Sequence, residues 1–301
     1  MDAATDSTAT SIAILGPGAI GTTIAAALHE AGRTPLLCGR TPREALTLLD
    51  GARRIDVPGP VLTDPAGLAG PVDLVFLAIK ATQLEATSAW LAALCRPGTI
   101  VCVLQNGVEQ LEQVAPHAPL ATIVPAVVWF PAQAQSDGTV RLRGDARLSL
   151  PDAPASGVIR EALRDTRCAV DIDADFKSQA WRKLMQNAVA GLMALTQRRS
   201  GMFARPDIAR IALAYLGECL AVARAEGAAL GDEVPQEILH KFQASPADMS
   251  TSILTDREAG RRLEWDIRNG VISRRGAVHG IPTPISDVVV ALLAAASDGP
   301  G

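Results

Sequence analysis

Gly16-Pro17-Gly18-Ala19-Ile20-Gly21 constrains this chain more than any other segment. It is a GxGxxG hexapeptide set directly after the apolar run Ser11–Leu15 and directly before a helical stretch, Ile20–Ala31. The first glycine permits a tight strand-to-helix turn. The second lets the backbone approach a pyrophosphate, and the third lets helix and strand pack closely. The helix N-terminus then presents unpaired N–H groups and the positive end of its dipole to phosphate. The motif predicts a dinucleotide held by Gly16, Pro17, Gly18, Ala19, Ile20 and Gly21.

The surrounding pattern fits that reading. Pro35–Cys38, Leu74–Ile79 and Ile100–Leu104 are nearly continuous apolar runs, as strands buried on both faces require. Strands alternating with helical stretches imply a parallel, doubly wound sheet. Val124–Phe130, Thr139–Leu142 and Arg147–Leu150 read as later strands closing this half. From about Phe176 the texture becomes helical: Lys177–Thr196, Pro206–Glu226, Pro235–Gln243, Arg257–Gly276 and Pro284–Ala296, punctuated by Pro and Gly. The acidic stretch Asp171–Asp175 marks the boundary. The expected architecture is α/β: a tail over residues 1–10, an N-terminal Rossmann domain over 11–172, and an all-helical domain over 173–301.

Composition narrows the function. A net charge of -4 with no basic run argues against a nucleic-acid or membrane surface as the main partner. Five cysteines, scattered and never paired as CxxC, fit reduced thiols in a cytoplasmic protein and no zinc site. The N-terminus lacks the pattern of a secretory signal, and no apolar run reaches the roughly 20 residues of a membrane span.

The end of the second strand discriminates between cofactors. An NAD site usually carries Asp or Glu there, to bind the ribose 2′-hydroxyl. This chain has Cys38-Gly39-Arg40-Thr41. The guanidinium of Arg40 suits a 2′-phosphate, which favours NADPH. Two further polar groups stand at strand ends, where ligands of open α/β sheets bind: Lys80 after Leu74–Ile79, and Asn106 after Ile100–Leu104. Taken alone, Asn106-Gly107 is ordinarily a turn.

Together these elements resemble the ketopantoate reductase (2-dehydropantoate 2-reductase) family. The matching segments are the GxGxxG, Arg40, the Lys-Ala-x-Gln at Lys80, the Gln-Asn-Gly at Asn106, Trp181-Arg182-Lys183-Leu184 with Asn187, Ser252-Ile253-Leu254-Thr255-Asp256, and Glu264. The resemblance implies that Lys183 is the proton donor. It implies that Asn106 touches both the nicotinamide side and the substrate, and that Asn187 and Ser252 hold substrate polar groups. Glu264 is implied to lie against the cofactor ribose and the lysine, and Ala132 to line the cofactor. The implied reaction is reduction of ketopantoate to pantoate with NADPH, on the route to pantothenate, and a homodimer through the helical domain is the assembly considered.

The chemistry suits those residue types. Hydride delivery to a 2-oxo group leaves an alkoxide, which an acidic cation both stabilises and protonates. Asn187 lies four residues after Lys183, so both face one way on a helix. The bland alternative is that Lys183 is a solvated helix lysine and that Arg261, Arg262 and Arg268 make ordinary surface pairs with Glu264; the place of Lys183 in the family pattern weighs against it.

The match departs at Gly191, where the family commonly has a second asparagine, and at the large Trp265 beside Glu264. Glycine at 191 predicts a roomier pocket poorer in donors, with weak ketopantoate activity or a preference for bulkier, less hydroxylated 2-oxo acids. The alternatives are thus a related reductase of another 2-oxo acid or imine, and a non-catalytic NADP-binding sensor. Sensing has no need of the proton donor Lys183.

Overall fold

The computed structural model describes residues 10–299. Apart from Thr10, the expected N-terminal tail lies outside them. The chain forms two compact units. The first comprises residues up to Gln105 together with Gln110–Ala174; the second comprises Asn106–Glu109 and the chain from Asp175 onward.

The first unit runs β1 (Ile12–Leu15), α1 (Ala19–Glu30), β2 (Leu36–Cys38), β3 (Ala45–Asp50), β4 (Arg53–Pro58), β5 (Leu74–Leu77), α2 (Ser88–Leu94), β6 (Ile100–Val103), α3 (Gln110–Val114) and β7 (Thr122–Pro125). It continues with β8 (Val127–Val128), β9 (Ala132–Ala134), β10 (Val140–Leu142), β11 (Ala146–Pro151), α4 (Pro154–Ala162) and β12 (Cys168–Asp173). Five strands pair in the order β2-β1-β5-β6-β7, every neighbour parallel. β1, β5 and β6 are buried along their whole length, as apolar runs covered on both faces must be. β1 connects to β2 on one side and neighbours β5 on the other, which sets the switch point of a Rossmann sheet at the ends of β1 and β5.

A second, four-stranded sheet has the order β4-β3-β10-β9, and a third has β12-β11-β8. Helix α1 packs against β1 and also against strands of the second sheet. That explains its composition. A helix covered all round is apolar all round, and the small residues Thr22, Thr23, Ala25, Ala26 and Ala27, all buried, let both layers come close.

One expected strand is corrected: Val124–Phe130 is not one strand, because β7 belongs to the first sheet and β8 to the third. The chain between β2 and β5 contains an antiparallel hairpin, β3–β4, that the sequence reading left unassigned. The division between Ala174 and Asp175 falls inside the acidic stretch Asp171–Asp175, whose first residues belong to β12, Asp171 pairing with Ser149 of β11.

The second unit is helical: α5 (Phe176–Thr196), α6 (Pro206–Ala225), α7 (Val234–Ala244), α8 (Ser252–Glu258), α9 (Val271–His279) and α10 (Pro284–Asp298). Asp175 caps α5, its carboxylate accepting the Ser178 N–H at 3.3 Å. Trp181, Leu184, Met185, Ala188 and Leu192 project from α5 into a core with Tyr215, Leu216, Phe203 and Phe242. The expected single helix Arg257–Gly276 is broken. α8 stops at Glu258, the chain runs irregularly to Glu264, and a π turn over Asp266–Gly270 leads into α9. Wide turns of this kind re-aim side chains and occur often at functional sites.

Candidate active site

In the first unit the glycine loop is shaped by contact. Gly16 has φ +94°, and a Cβ there would lie 2.6 Å from Ile79 Cγ2 and 2.9 Å from the Ile79 nitrogen. A Cβ on Gly21 would lie 2.4 Å from the Gly16 oxygen. Both positions exclude any side chain. Gly18 differs: nothing stands within 4 Å of where its Cβ would be. Gly18 is also the N-cap of α1, has no side chain to cap it, and is followed by a first turn without acidic residues. The helix start is thus an open backbone face with uncapped donors, which fits an anionic pyrophosphate.

The end of β2 is tied to this loop. The Gly16 N–H donates to the Cys38 oxygen at 2.8 Å. A Cβ on Gly39 would touch Pro17 Cδ at 2.8 Å. Arg40 follows immediately and is exposed. Lys80 is half-buried just past β5, one residue after the Ile79 that Gly16 rests on; its backbone N–H donates to Gln83 Oε1 at 3.3 Å. Ala132 opens β9, in a different sheet from the strands that end at the glycine loop and Lys80.

The other expected residues meet in the second unit. Lys183 and Asn187 share one face of α5. Asn187 Nδ2 donates to Asn106 Oδ1 at 3.1 Å, and Asn106 Nδ2 donates to Glu264 Oε2 at 3.3 Å. Asn106 follows β6 in the chain, and the expected division at residue 172 puts it in the first domain. It belongs instead to the second compact unit, for identifiable reasons. Besides these amide bonds, Gly107 lies against Ile267, and the buried Glu109 accepts from Arg274 Nη2 at 2.7 Å and Arg275 Nε at 3.2 Å.

Arg268 completes the group, and the sequence reading missed it. Weighed in the sequence only as an ordinary surface pair for Glu264, it is only 2% exposed. Its Nη1 donates to Ser252 Oγ at 3.0 Å and its Nη2 to Asn187 Oδ1 at 3.3 Å. Burial lowers its pKa, against the opposing pull of the Glu264 and Asp256 carboxylates. The signal was present in the sequence. Arg268 is four residues after Glu264 and three and four before Val271 and Ile272, so it lies on the apolar stripe of that stretch.

Lys183 is partly buried, and its ammonium is pushed down to about 8, first by burial and then by the positive charges of Lys241 and Arg268. Lys241 reaches in from α7, its Nζ donating to Gln186 Oε1 at 3.1 Å. A cation so depressed is a competent acid near neutral pH. Trp181 is buried in the helical core and Trp265 packs at its edge.

The reading of Gly191 as open pocket is overturned. A Cβ there would lie 2.8 Å from Asn269 Nδ2 and 3.0 Å from Leu293 Cδ1. The space is filled by the core. Asn269 is fully buried and spends its Nδ2 on the Ala188 oxygen and the Tyr215 hydroxyl, both at 2.9 Å.

A glycine cradle at the switch point of a parallel sheet, with a helical unit that gathers an acidic lysine, amides, a hydroxyl and a carboxylate, defines the class of nicotinamide-dependent oxidoreductases. Within that class, residues 12–155 match the family model "Ketopantoate reductase PanE/ApbA" and residues 175–297 match its C-terminal model. The chain belongs to the ketopantoate reductase family. It is 57% identical over 294 residues to the 2-dehydropantoate 2-reductase of Mycobacterium tuberculosis, covering 97% of this chain and 100% of that one. It is 38% identical to that of Caulobacter vibrioides, covering 96% and 99%. A dimeric ketopantoate reductase from Staphylococcus aureus superposes with a TM-score of 0.88 at 28% identity, covering 97% of this chain and 100% of that one. Among the described residues, no helix is long and apolar enough to cross a membrane.

Proposed function

We propose that this protein reduces ketopantoate to pantoate with NADPH as the hydride source, serving pantothenate formation. The observation that carries the reading is the single hydrogen-bonded group formed by Asn106, Asn187, Ser252, Glu264 and Arg268 in the unit that also holds Lys183. The relatives' shared name, 2-dehydropantoate 2-reductase, supports the substrate. The close packing of Asn269 and Leu293 against Gly191 removes the argument for a roomier pocket and a bulkier acid.

When bound, the nicotinamide supplies a hydride to the carbonyl carbon of the 2-oxo acid. The loop Gly16, Pro17, Gly18, Ala19, Ile20 and Gly21 holds the pyrophosphate; the donors are the free N–H groups of the first turn of α1, since Pro17 has none and those of Gly16 and Gly18 are given to the Cys38 and Gly16 oxygens. Arg40 binds the 2′-phosphate with its planar fork, which favours NADPH over NADH. On this reading Lys80 and Ala132 of the first unit, and Asn106 and Glu264 of the second, also serve the cofactor. Lys183 polarises the carbonyl oxygen, and as the new C–H bond forms it transfers one proton from Nζ to that oxygen, leaving a neutral amine and a 2-hydroxy acid. Asn187 and Ser252 hold polar groups of the substrate, and Asn106 orients carbonyl and cofactor together. Five free, buried cysteines and a net charge of -4 agree with a cytoplasmic enzyme, and the dimeric relative supports a homodimer.

The test is NADPH oxidation at 340 nm with a panel of 2-oxo acids. Ketopantoate is expected to give the highest kcat/KM, with NADH well below NADPH. Equal use of both nicotinamides, or turnover confined to acids lacking the 4-hydroxyl, would refute the assignment.

A further inference from the structure

Arg268 has no part in the reaction as derived above, yet it is the most buried cation of the second unit. Burying a guanidinium is costly unless it is paired and hydrogen-bonded, and replacing such a group with apolar atoms is often neutral or stabilising. Packing therefore gives no reason for an arginine here. Its Nε is buried without a hydrogen-bond partner, so the arrangement is not even optimal for the arginine itself. What its geometry does accomplish is directional. Arginine donates and never accepts. By donating through Nη2 it assigns the Asn187 oxygen as acceptor, which turns the Asn187 amide nitrogen toward Asn106 Oδ1. That in turn leaves the Asn106 amide nitrogen for the Glu264 carboxylate, which can only accept. A donor-only cation at one end and a carboxylate at the other fix both amides between them.

The same reasoning applies to Ser252. Its Oγ accepts from Arg268 Nη1 at 3.0 Å, so its own proton must be given elsewhere, and the residue is exposed. A serine that accepts from a cation through one of its lone pairs turns its proton outward and is a stronger donor, suited to a carboxylate or keto oxygen. Arg268 also adds positive charge beside Lys183, with Lys241 contributing from α7 and Glu264 and Asp256 opposing on the side of Arg268.

We propose that Arg268 is the positioning residue of this active site: its guanidinium polarises Ser252 and Asn187 into fixed donors and makes the site select an anionic 2-oxo acid. The proposal rests on the reading of Lys183, Asn187 and Ser252 as groups that meet the substrate.

The experiment compares Arg268→Gln and Arg268→Lys with the wild type. Glutamine keeps a donor but can flip and accept, and it carries no charge. Lysine keeps the charge but loses the fork. In both, KM for ketopantoate is expected to rise about ten- to a hundredfold, the usual worth of a charge-assisted hydrogen bond, while KM for NADPH stays within about twofold. In the Ser252→Ala background the Arg268→Lys effect on KM should shrink but persist, because only the part acting through Ser252 is lost and the contact to Asn187 remains. A readout independent of turnover accompanies these. The chain has four lysines, so reductively 13C-methylated Lys183 is assignable by NMR in the cofactor-free protein. Its titration should move to higher pH in Arg268→Gln and stay near the wild type in Arg268→Lys. An unchanged KM for ketopantoate in both variants, or a Lys183 titration unmoved in Arg268→Gln, would overturn the proposal. A wild type that reduces no 2-oxo acid would instead sink the function, and the titration would still judge Arg268.

Discussion

Replacing Lys183 by Met should cost the enzyme its turnover and give it stability, and the gain should depend on pH in one direction. The Lys183 ammonium is pushed down to about 8 from the ordinary 10.5. At 1.36 kcal/mol for each tenfold change in a proton equilibrium, holding this charge below pH 8 costs the folded state about 3 kcal/mol. Between pH 8 and 10.5 the folded protein has released the proton while the unfolded chain still binds it. The unfolded state therefore carries more protons, and wild-type stability rises with pH across that window. The Met variant lacks this slope. Its advantage over the wild type should be largest at pH 7 and should shrink by about 3 kcal/mol toward pH 10. With a urea dependence of about 2–3 kcal/mol/M, the midpoints at 25 °C should converge by roughly 1 M. Trp181 and Trp265 lie in the helical unit and report its unfolding by fluorescence. Comparing differences between the two proteins cancels every other titrating group. A midpoint difference that is the same at pH 7 and pH 10 would refute the reasoning, because Lys183 would then titrate at its ordinary value and could not be an acid near neutrality.

The wild-type kcat/KM should fall above about pH 8, since the reaction needs the protonated form of Lys183, and a profile flat to pH 10 would contradict that. Lys183→Ala should lower turnover by about 10²–10⁴ with NADPH affinity nearly unchanged, measured by fluorescence titration and steady-state kinetics. Arg40→Ala should raise KM for NADPH about ten- to a hundredfold and leave that for NADH almost unaltered. Gly191→Ala should destabilise the protein by about 1–3 kcal/mol through overpacking against Asn269 and Leu293, and the penalty should diminish in an Asn269→Ala background, read by thermal melts of the four proteins in the cycle.

The parts legible in the sequence are those where one local rule decides. The glycine loop, the fully apolar strands β1, β5 and β6, and the long helices α5, α6 and α10 follow from periodicity and turn chemistry alone. The β3–β4 hairpin was harder. Ala45–Asp50 is rich in Ala and Leu, good helix formers, and becomes a strand because Leu46 and Leu48 bury one face and pair with β4 and β10. Its strongest clue is the two-residue turn Gly51-Ala52 followed by alternating Ile55 and Val57. The break in Arg257–Gly276 was invisible to a period of 3.6, because nothing in a residue pattern specifies a π turn. That break is what brings Glu264 to Asn106 and Arg268 to Asn187 and Ser252, so the network could be listed residue by residue from resemblance but not connected.

Gly191 shows why position-by-position comparison misleads when the space is shared between elements. Here the space beside position 191 is filled by Asn269 and Leu293, and Gly191 is the residue that leaves room for them. The packing keeps the helical core closed. It supplies no donor to a substrate, because both donors of Asn269 are consumed by Ala188 and Tyr215. The face of α5 that can serve a substrate therefore ends at Asn187. On the proposed function, discrimination among 2-oxo acids falls to Ser252 and Asn187, and both are held by the same guanidinium. A site with fewer side-chain donors gains more from having each of them fixed, since a donor that can rotate away recognises nothing. On this view the buried charge of Arg268, costly to the fold, is retained because it orders the two donors this chain has left.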